Sequence, residues 1–376
     1  MSDNKIKKVA HIFNELKFSG AEIMYAQAGE IFHANGLELI AISTADAEGD
    51  FAEVLAENHY KIEHYPIPKS KVGNLLQFIK YYFNFYLYLK KEKVTVLHIH
   101  KSTHYWFFAL CACFARIRCV RTVHNVFKNR KVTWIKAYLE RLTARRILGL
   151  SFQSIGQSVS DNELMYYKNP TTKINNWFDS RKFFPVNSKN EKLMLRKNLG
   201  ISETDFVIIT VGGCSKIKKH SAVIKAIHSL QGKINCTYLH LGCCETEDEE
   251  KNLVKELGLS EQVKFVGNTQ EVRKYLIASD IYVMPSLFEG LSIAAVEAMA
   301  CGLPSILYDV PGLRDLIYND DNGLLIPPKL DELCGAILTM KNNQELRNSC
   351  SINAVKFVND NFAIEKNVNE IIEFYK

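Results

Sequence analysis

Short apolar runs alternate with segments of helical period along the whole chain. KKVAHIFN (7–14), LELIAIST (37–44), VTVLHIH (94–100) and RCVRTVHN (118–125) are apolar over most of their length. Such runs mark strands buried on both faces. Between or after them, Ala21–Asn35, Asn74–Lys93 and Val132–Leu148 carry a period near 3.6 and predict helices. The same alternation returns downstream. DFVIITVGG, NCTYLHLG, VKFVGN, IYVMPS and PSILYD predict strands, and Ser221–Leu230, Asp248–Leu257, Thr269–Ala278 and Ser292–Cys301 predict helices. Alternating strand and helix means parallel α/β sheets.

With 376 residues, the chain exceeds one average core and favours two domains. The polar stretch FPVNSKNE (184–191), with Pro185, reads as the hinge. The expected division is an N-terminal domain over 1–185, a C-terminal domain over 186–360, and a final helix over 361–376 returning toward the first domain. Two doubly wound domains would face each other across a cleft, with chemistry in loops just after strands.

Charge sharpens this division. The net charge is +6, but residues 1–185 hold 26 lysines and arginines against 16 acids, while residues 186–376 hold 21 against 25. The first domain is expected to meet something anionic. The start MSDNKIKKVAHIF lacks the apolar core of a secretion signal. The longest apolar run, Tyr105–Ala115, falls short of the roughly 20 residues a spanning helix needs. Ten cysteines in apolar contexts, with no CxxC pair, predict reduced, buried thiols and a cytoplasmic protein.

The stretch PSLFEGLSIAAVEAMACGLP (285–304) carries the most chemistry. Ser292 is suited to cap the helix IAAVEAMAC, and Gly302 with Pro304 to end it. Glu289 would then hang in the loop above a strand, and Glu297 would lie about a turn and a half into the helix. The helix N-terminus offers unpaired N–H groups and partial positive charge to an anion, and Gly290 allows close approach of backbone. A phosphate between two acids that accept hydroxyl hydrogen bonds describes a nucleotide sugar. The bland alternative is a pair of acids that merely complement a helix dipole.

VMPSLFEGLSIAAVEAMACGLPSI resembles the signature of the retaining glycosyltransferases of family 4, whose fold is termed GT-B. Glu289 and Glu297 match its E-x7-E motif. KKVAHIFNELKFSGAE resembles the family's first strand and glycine loop, RTVHN its histidine segment, and KINNWFDSRKFFP its linker. VGGCSKIKKHSAVIKAI resembles the phosphate-binding segment, with VKFVGNTQEVRKYLIASDIYVMPS and DNGLLIPP following in the family's order. The resemblance implies roles. Glu297 would bind ribose hydroxyls, and Glu289 the transferred sugar. Amides of Gly290, Leu291 and Ser292, with Ile293 beside them, would hold sugar and diphosphate. Lys218 would neutralise the diphosphate, aided by Gly213 and Ser215. Gly20 would let the first domain close upon the donor, Thr269 would sit at the base, and His124 beside the reacting sugar. Two departures stand out: Gly213 replaces a frequent arginine, and Asn176-Trp177 replaces a usual Asn-Gly.

The resemblance implies retaining transfer in which the leaving phosphate deprotonates the acceptor, so Glu289 is not assigned as a nucleophile. The chain contains no DxD, and ETEDEE (245–250) reads as the opening of a solvated helix. No metal and no other cofactor are expected. His98 and His100 read as acceptor-side or packing residues rather than ligands.

NLLQFIKYYFNFYLYLKKEK (74–93) and FKNRKVTWIKAYLERLTARR (127–146) mix aromatic and basic residues, the latter with Trp134 and Tyr138. Such surfaces suit the headgroups of an anionic bilayer. The expectation is a peripheral protein on the cytoplasmic face of the inner membrane. It would take a nucleotide-sugar donor and a glycan or polyprenyl-diphosphate-linked acceptor in lipopolysaccharide O-antigen or capsule synthesis. No motif for reading nucleic acid accompanies the charge. The competing readings are a nucleotide-sugar 2-epimerase-like enzyme, which would need no acceptor, and a catalytically silent nucleotide-sugar-binding scaffold. A dehydrogenase is disfavoured, because no GxGxxG lies between a first strand and helix.

Overall fold

A computed structural model describes residues 8–68, 75–126, 131–186, 188–243, 245–318 and 320–376. Sequence expectations that rest on residues 1–7, Asn74, 127–130, Asn187 or Cys244 lie outside them. The chain forms two compact units, Met1–Trp177 with Ile364–Lys376, and Phe178–Ala363. The division thus falls at 177/178 rather than at 185/186. The last helix is part of the first unit.

In the first unit the order is β1 (Lys8–Phe13), α1 (Gly20–Ala34), β2 (Glu38–Ser43), α2 (Ala52–Glu57), β3 (Tyr60–His64), α3 (Leu75–Lys91) and β4 (Val96–Ile99). Then come α4 (Tyr105–Ala115), β5 (Arg118–Val123), α5 (Lys131–Arg146), β6 (Ser151–Ser154), α6 (Gln157–Tyr167) and β7 (Thr172–Lys173). The strands pair in parallel in the order β3-β2-β1-β4-β5-β6-β7. Val9, Ile12, Ile40, Leu97, Ile99 and Val120 are sealed from solvent, as strands covered on both faces require.

The second unit runs α7 (Lys189–Asn198), β8 (Phe206–Val211), α8 (Ser221–Ser229), β9 (Cys236–Leu241), α9 (Glu247–Glu256), β10 (Val263–Gly267) and α10 (Val272–Ala278). It continues with β11 (Ile281–Met284), α11 (Ile293–Ala300), β12 (Ser305–Tyr308), a 3-10 turn at Arg314–Leu316, β13 (Gly323–Ile326), α12 (Leu330–Asn342) and α13 (Gln344–Phe362). Its parallel sheet is ordered β10-β9-β8-β11-β12-β13. The chain then closes the first unit with α14 (Ile364–Tyr375).

Strand order reverses between β1 and β4 in one sheet and between β8 and β11 in the other. Helices leave opposite faces at such a switch, so a crevice opens at the carboxyl ends of those strands.

Several sequence expectations are corrected. The expected hinge at 184–191 contains the start of α7. Ser188 caps it by accepting a hydrogen bond from the Glu191 amide (3.3 Å), and Glu191 pairs with Arg273 at 2.8 Å. The polar composition there is an N-terminal cap, not a linker. The helix expected from Thr269 begins at Val272, because the Thr269 hydroxyl accepts from the Glu271 amide and makes a turn first. Trp177 is buried and donates to the Met24 carbonyl at 3.0 Å, so it anchors α1 within the first unit. Cys113 is exposed, against the expectation of uniformly buried thiols.

Candidate active site

The loops after β8 and β11 build the site of the second unit. Ser292 caps α11 as expected, accepting from the Ala295 amide at 3.3 Å. Gly312 supports the loop from behind. Its φ is +84°, and a Cβ there would come within 2.6 Å of the carbonyl oxygens of Glu289 and Gly290. Gly242 does the same for the loop after β8, where a Cβ would meet the Gly212 oxygen at 2.0 Å. Both loops therefore require glycine beneath them. They are joined by the Leu287 amide, which donates to the Ile217 carbonyl at 2.8 Å.

Lys218 and Glu289, one from each loop, meet at 2.6 Å between Nζ and Oε1. Both are largely covered, so the pair is stronger than an exposed one. The Lys218 amide also donates to the Ser215 hydroxyl at 3.3 Å, which fixes the turn carrying the lysine. Glu297 is half-buried on α11. Burial pushes its carboxyl up to about 8, with Lys182 pulling back. Tyr282, on β11, is sealed from solvent. Burial and then the charges of Glu289 and Glu297 hold its phenol neutral, while Ser292 acts in the opposite sense. The structure thus brings Glu289, Lys218, Ser292 and Glu297 around one strand end. Leu291 and Gly290 are buried beneath, and Gly213, Ser215 and Ile293 remain accessible to varying degree. Thr269 is half-buried after β10, two strands away from β8 in the sheet.

In the first unit, the carboxyl ends of β1, β4 and β5 hold a row of imidazoles. His11 Nδ1 lies 3.0 Å from His100 Nε2, and His100 Nδ1 lies 3.3 Å from His124 Nε2. Burial, then Arg121, lowers His124 to about 4, so it is neutral near pH 7. His98 spends both nitrogens internally, on the Tyr375 hydroxyl (2.7 Å) and the Thr122 hydroxyl (2.6 Å). It is a packing residue. Gly20 opens α1, with no atom within 4 Å of a built Cβ. Sequence reasoning missed Lys101, whose ammonium donates to Thr44 at 2.7 Å and is lowered to about 8 by burial. It missed Tyr282 and His11 as well. His11 and Lys101 lie near strand carboxyl ends beside residues already singled out, whereas Tyr282, the second residue of β11, carried no such signal.

A pair of doubly wound units, each with polar residues at its switch point, is the GT-B architecture. Residues 191–357 match the family model Glycosyl transferases group 1, and residues 18–153 match Glycosyltransferase Family 4. The chain belongs to glycosyltransferase family 4. It is 26% identical over 316 residues, 80% of each chain, to the UDP-Gal:alpha-D-GlcNAc-diphosphoundecaprenol alpha-1,3-galactosyltransferase of Escherichia coli. It is also 26% identical to the N-acetyl-alpha-D-glucosaminyl L-malate synthase of Bacillus anthracis, over 76% of this chain and 75% of that one. HepE of Anabaena, solved in complex with UDP and glucose, superposes with a TM-score of 0.82 at 20% identity, covering 98% of this chain and 99% of that one.

Proposed function

We propose that the chain transfers a hexose or N-acetylhexosamine from a UDP donor, with retention and without a catalytic metal, to a polyprenyl-diphosphate-linked or glycan acceptor. The product would be a bacterial surface polysaccharide such as O-antigen or capsule. The observation that carries this reading is the contact of Lys218 with Glu289 at the mouth of α11, with Glu297 beside the same strand end.

Departure of a diphosphate leaves negative charge on its oxygens and positive charge on the sugar. Lys218 and the amides at the start of α11 supply fixed positive potential where that charge develops. On donor binding, Lys218 turns from Glu289 to the diphosphate, and Glu289 is freed to accept from sugar hydroxyls. Glu297 accepts from the ribose. With Glu289 engaged by sugar hydroxyls, the reading favours same-face transfer over a double displacement. Neutral His124 hydrogen-bonds the sugar or offers its carbonyl to the developing positive charge.

The acceptor reading rests on the E. coli relative and on one face of the first unit. Leu76, Ile79, Phe83 and Leu87 form an exposed apolar stripe along α3, with Lys80, Lys90 and Lys91 on the same helix. Exposed Ile135, Leu139 and Ile147, with Lys136 and Arg146, lie on or just after α5. Among the described residues no helix is long and apolar enough to cross a membrane. A stripe of this kind lies in the plane of an anionic bilayer, which supports a peripheral position on the cytoplasmic face of the inner membrane.

Incubating the chain with UDP-hexoses and a synthetic polyprenyl-diphosphate sugar tests the proposal. An α-linked lipid product, dependent on acceptor, is expected. Release of a free epimerised sugar without acceptor would favour an epimerase-like reaction instead.

A further inference from the structure

Behind the loop that carries Ser215 and Lys218 lies a second cluster that the transfer reaction does not use. Cys214 follows β8, His220 precedes α8, His240 lies on β9, and Glu250 turns inward from α9. All four are buried. One ligating atom from each lies within 4.8 Å of the others. His240 Nε2 is 2.9 Å from His220 Nδ1, 2.9 Å from Glu250 Oε2 and 3.8 Å from Cys214 Sγ, and His220 Nδ1 is 4.0 Å from Glu250 Oε2. A tetrahedral zinc with bonds of about 2.0–2.3 Å sets its ligand atoms roughly 3.3–3.7 Å apart.

Hydrogen bonding alone serves this cluster poorly. His240 Nε2 carries at most one proton, or one lone pair, yet has two polar neighbours at 2.9 Å. Whichever neighbour it serves, the other is left facing it unsatisfied in a buried site, which is costly. A divalent cation at the centre serves all four atoms at once. Cys214 would bind as thiolate, giving up its proton to solvent, and Glu250 as carboxylate; the two histidines stay neutral. One thiolate and one carboxylate cancel the charge of the ion, as a site without solvent requires. The donor set of one sulfur, two imidazole nitrogens and one carboxylate oxygen suits zinc. Glu250 Oε1 is already oriented by the Thr246 hydroxyl at 3.0 Å, the outer support that a ligating carboxylate needs.

We infer that Cys214, His220, His240 and Glu250 form a structural zinc site that staples the loop after β8 to α8, β9 and α9. With all four protein ligands in place the ion has no open position, so its role is to hold the backbone of residues 214–220 rather than to act on substrate. The expected solvated opening of α9 holds for its outer acids, but Glu250 leaves that set.

The test uses the full chain, purified without a histidine tag. Elemental analysis should find about one zinc per chain. Exchange with cobalt(II) should give a thiolate-to-cobalt charge-transfer band and the ligand-field bands of a tetrahedral ion. Cys214→Ser should abolish the charge-transfer band. If that variant does not fold, the cobalt spectrum of the unaltered chain decides alone. Less than about a tenth of an equivalent of metal, even after incubation with zinc or cobalt, would overturn the site. So would a bound metal with no thiolate signature, which would point to the imidazoles of the first unit. None of these readouts depends on donor or acceptor, so the site and the transfer reaction stand or fall separately.

Discussion

Lys218 Nζ and Glu289 Oε1 sit 2.6 Å apart, although 71 positions of chain separate them. The pair ties the loop after β8 to the loop after β11, and in the proposed reaction each member takes a different partner on the donor. Lys218→Ala should therefore lower kcat/KM by about 10²–10³-fold, the cost of a lost charge-stabilising donor. Glu289→Gln should lower kcat with a smaller effect on affinity for UDP alone, since UDP lacks the sugar that the proposal assigns to Glu289. Isothermal titration with UDP beside steady-state kinetics separates the two. Equal losses in both for Glu289→Gln would place that carboxylate on the nucleotide instead.

Glu297 predicts a pH dependence. Its folded value, about 8, lies above the ordinary 4.5, so the folded chain keeps a proton that the unfolded chain loses across that window. Stability contributed by this proton is full below about 4.5 and is lost as pH rises toward 8. Glu297→Gln should consequently raise Tm at about pH 8.5 by roughly 2–4 °C relative to the unaltered chain, and change little near pH 5. Donor hydroxyls favour the carboxylate, so affinity for UDP should climb between about pH 6.5 and 8.5 in the unaltered chain and stay flat in the variant. A flat profile in both would dismiss the ribose contact.

If His124 acts on the reacting sugar as proposed, His124→Ala should depress turnover by about 10²-fold while UDP affinity stays within about twofold. The imidazole is neutral down to about pH 4, so no limb of the rate profile near pH 6–7 should vanish in the variant. Unchanged turnover would remove His124 from the reaction.

Brief exposure to EDTA, without added Mg²⁺ or Mn²⁺, should leave the initial rate intact, since the proposed mechanism draws its charge stabilisation from Lys218 and the α11 amides. Loss of activity restored by Mn²⁺ and not by zinc would contradict metal-independent transfer. A slow loss of thermal stability restored by zinc belongs to the buried Cys214 cluster.

Leu76→Ser, Ile79→Ser and Phe83→Ser together should abolish co-sedimentation with anionic liposomes at low salt while leaving the melting temperature unchanged, because all three side chains are exposed. High salt should weaken binding of the unaltered chain. Failure of the unaltered chain to sediment would end the membrane proposal.

The parallel α/β character was legible because buried strands such as FVIITV and IYVM are continuous apolar runs. Short, partly polar strands escaped. Tyr60–His64 alternates only weakly, Ser151–Ser154 is half polar, and Thr172–Lys173 is two residues long. The cap of α7 was written in the sequence as Ser188 followed by Glu191, yet Pro185 and the polar surroundings outweighed it. The acid pair and Lys218 were legible because their loops follow strong strands and precede a capped helix. The His11–His100–His124 row was only half legible. The pairing of β1 with β4 sets His11 opposite His98 and leaves His100, just past β4, with its ring 3.0 Å from His11, and no local pattern reports that contact. Glu250 was misread for the same reason, since its burial is decided by β8 and β9.

The placement of α14 carries a consequence for how the protein is made. The Tyr375 hydroxyl holds His98, and the Phe374 carbonyl accepts from Arg118 at 3.1 Å, so the penultimate residues complete a lobe begun at residue 8. During synthesis that lobe waits, unfinished, until the ribosome has released everything between. Removing a dozen residues from the carboxyl terminus would therefore injure the opposite end of the gene product, and a fragment ending at Trp177 would lack its own closing helix.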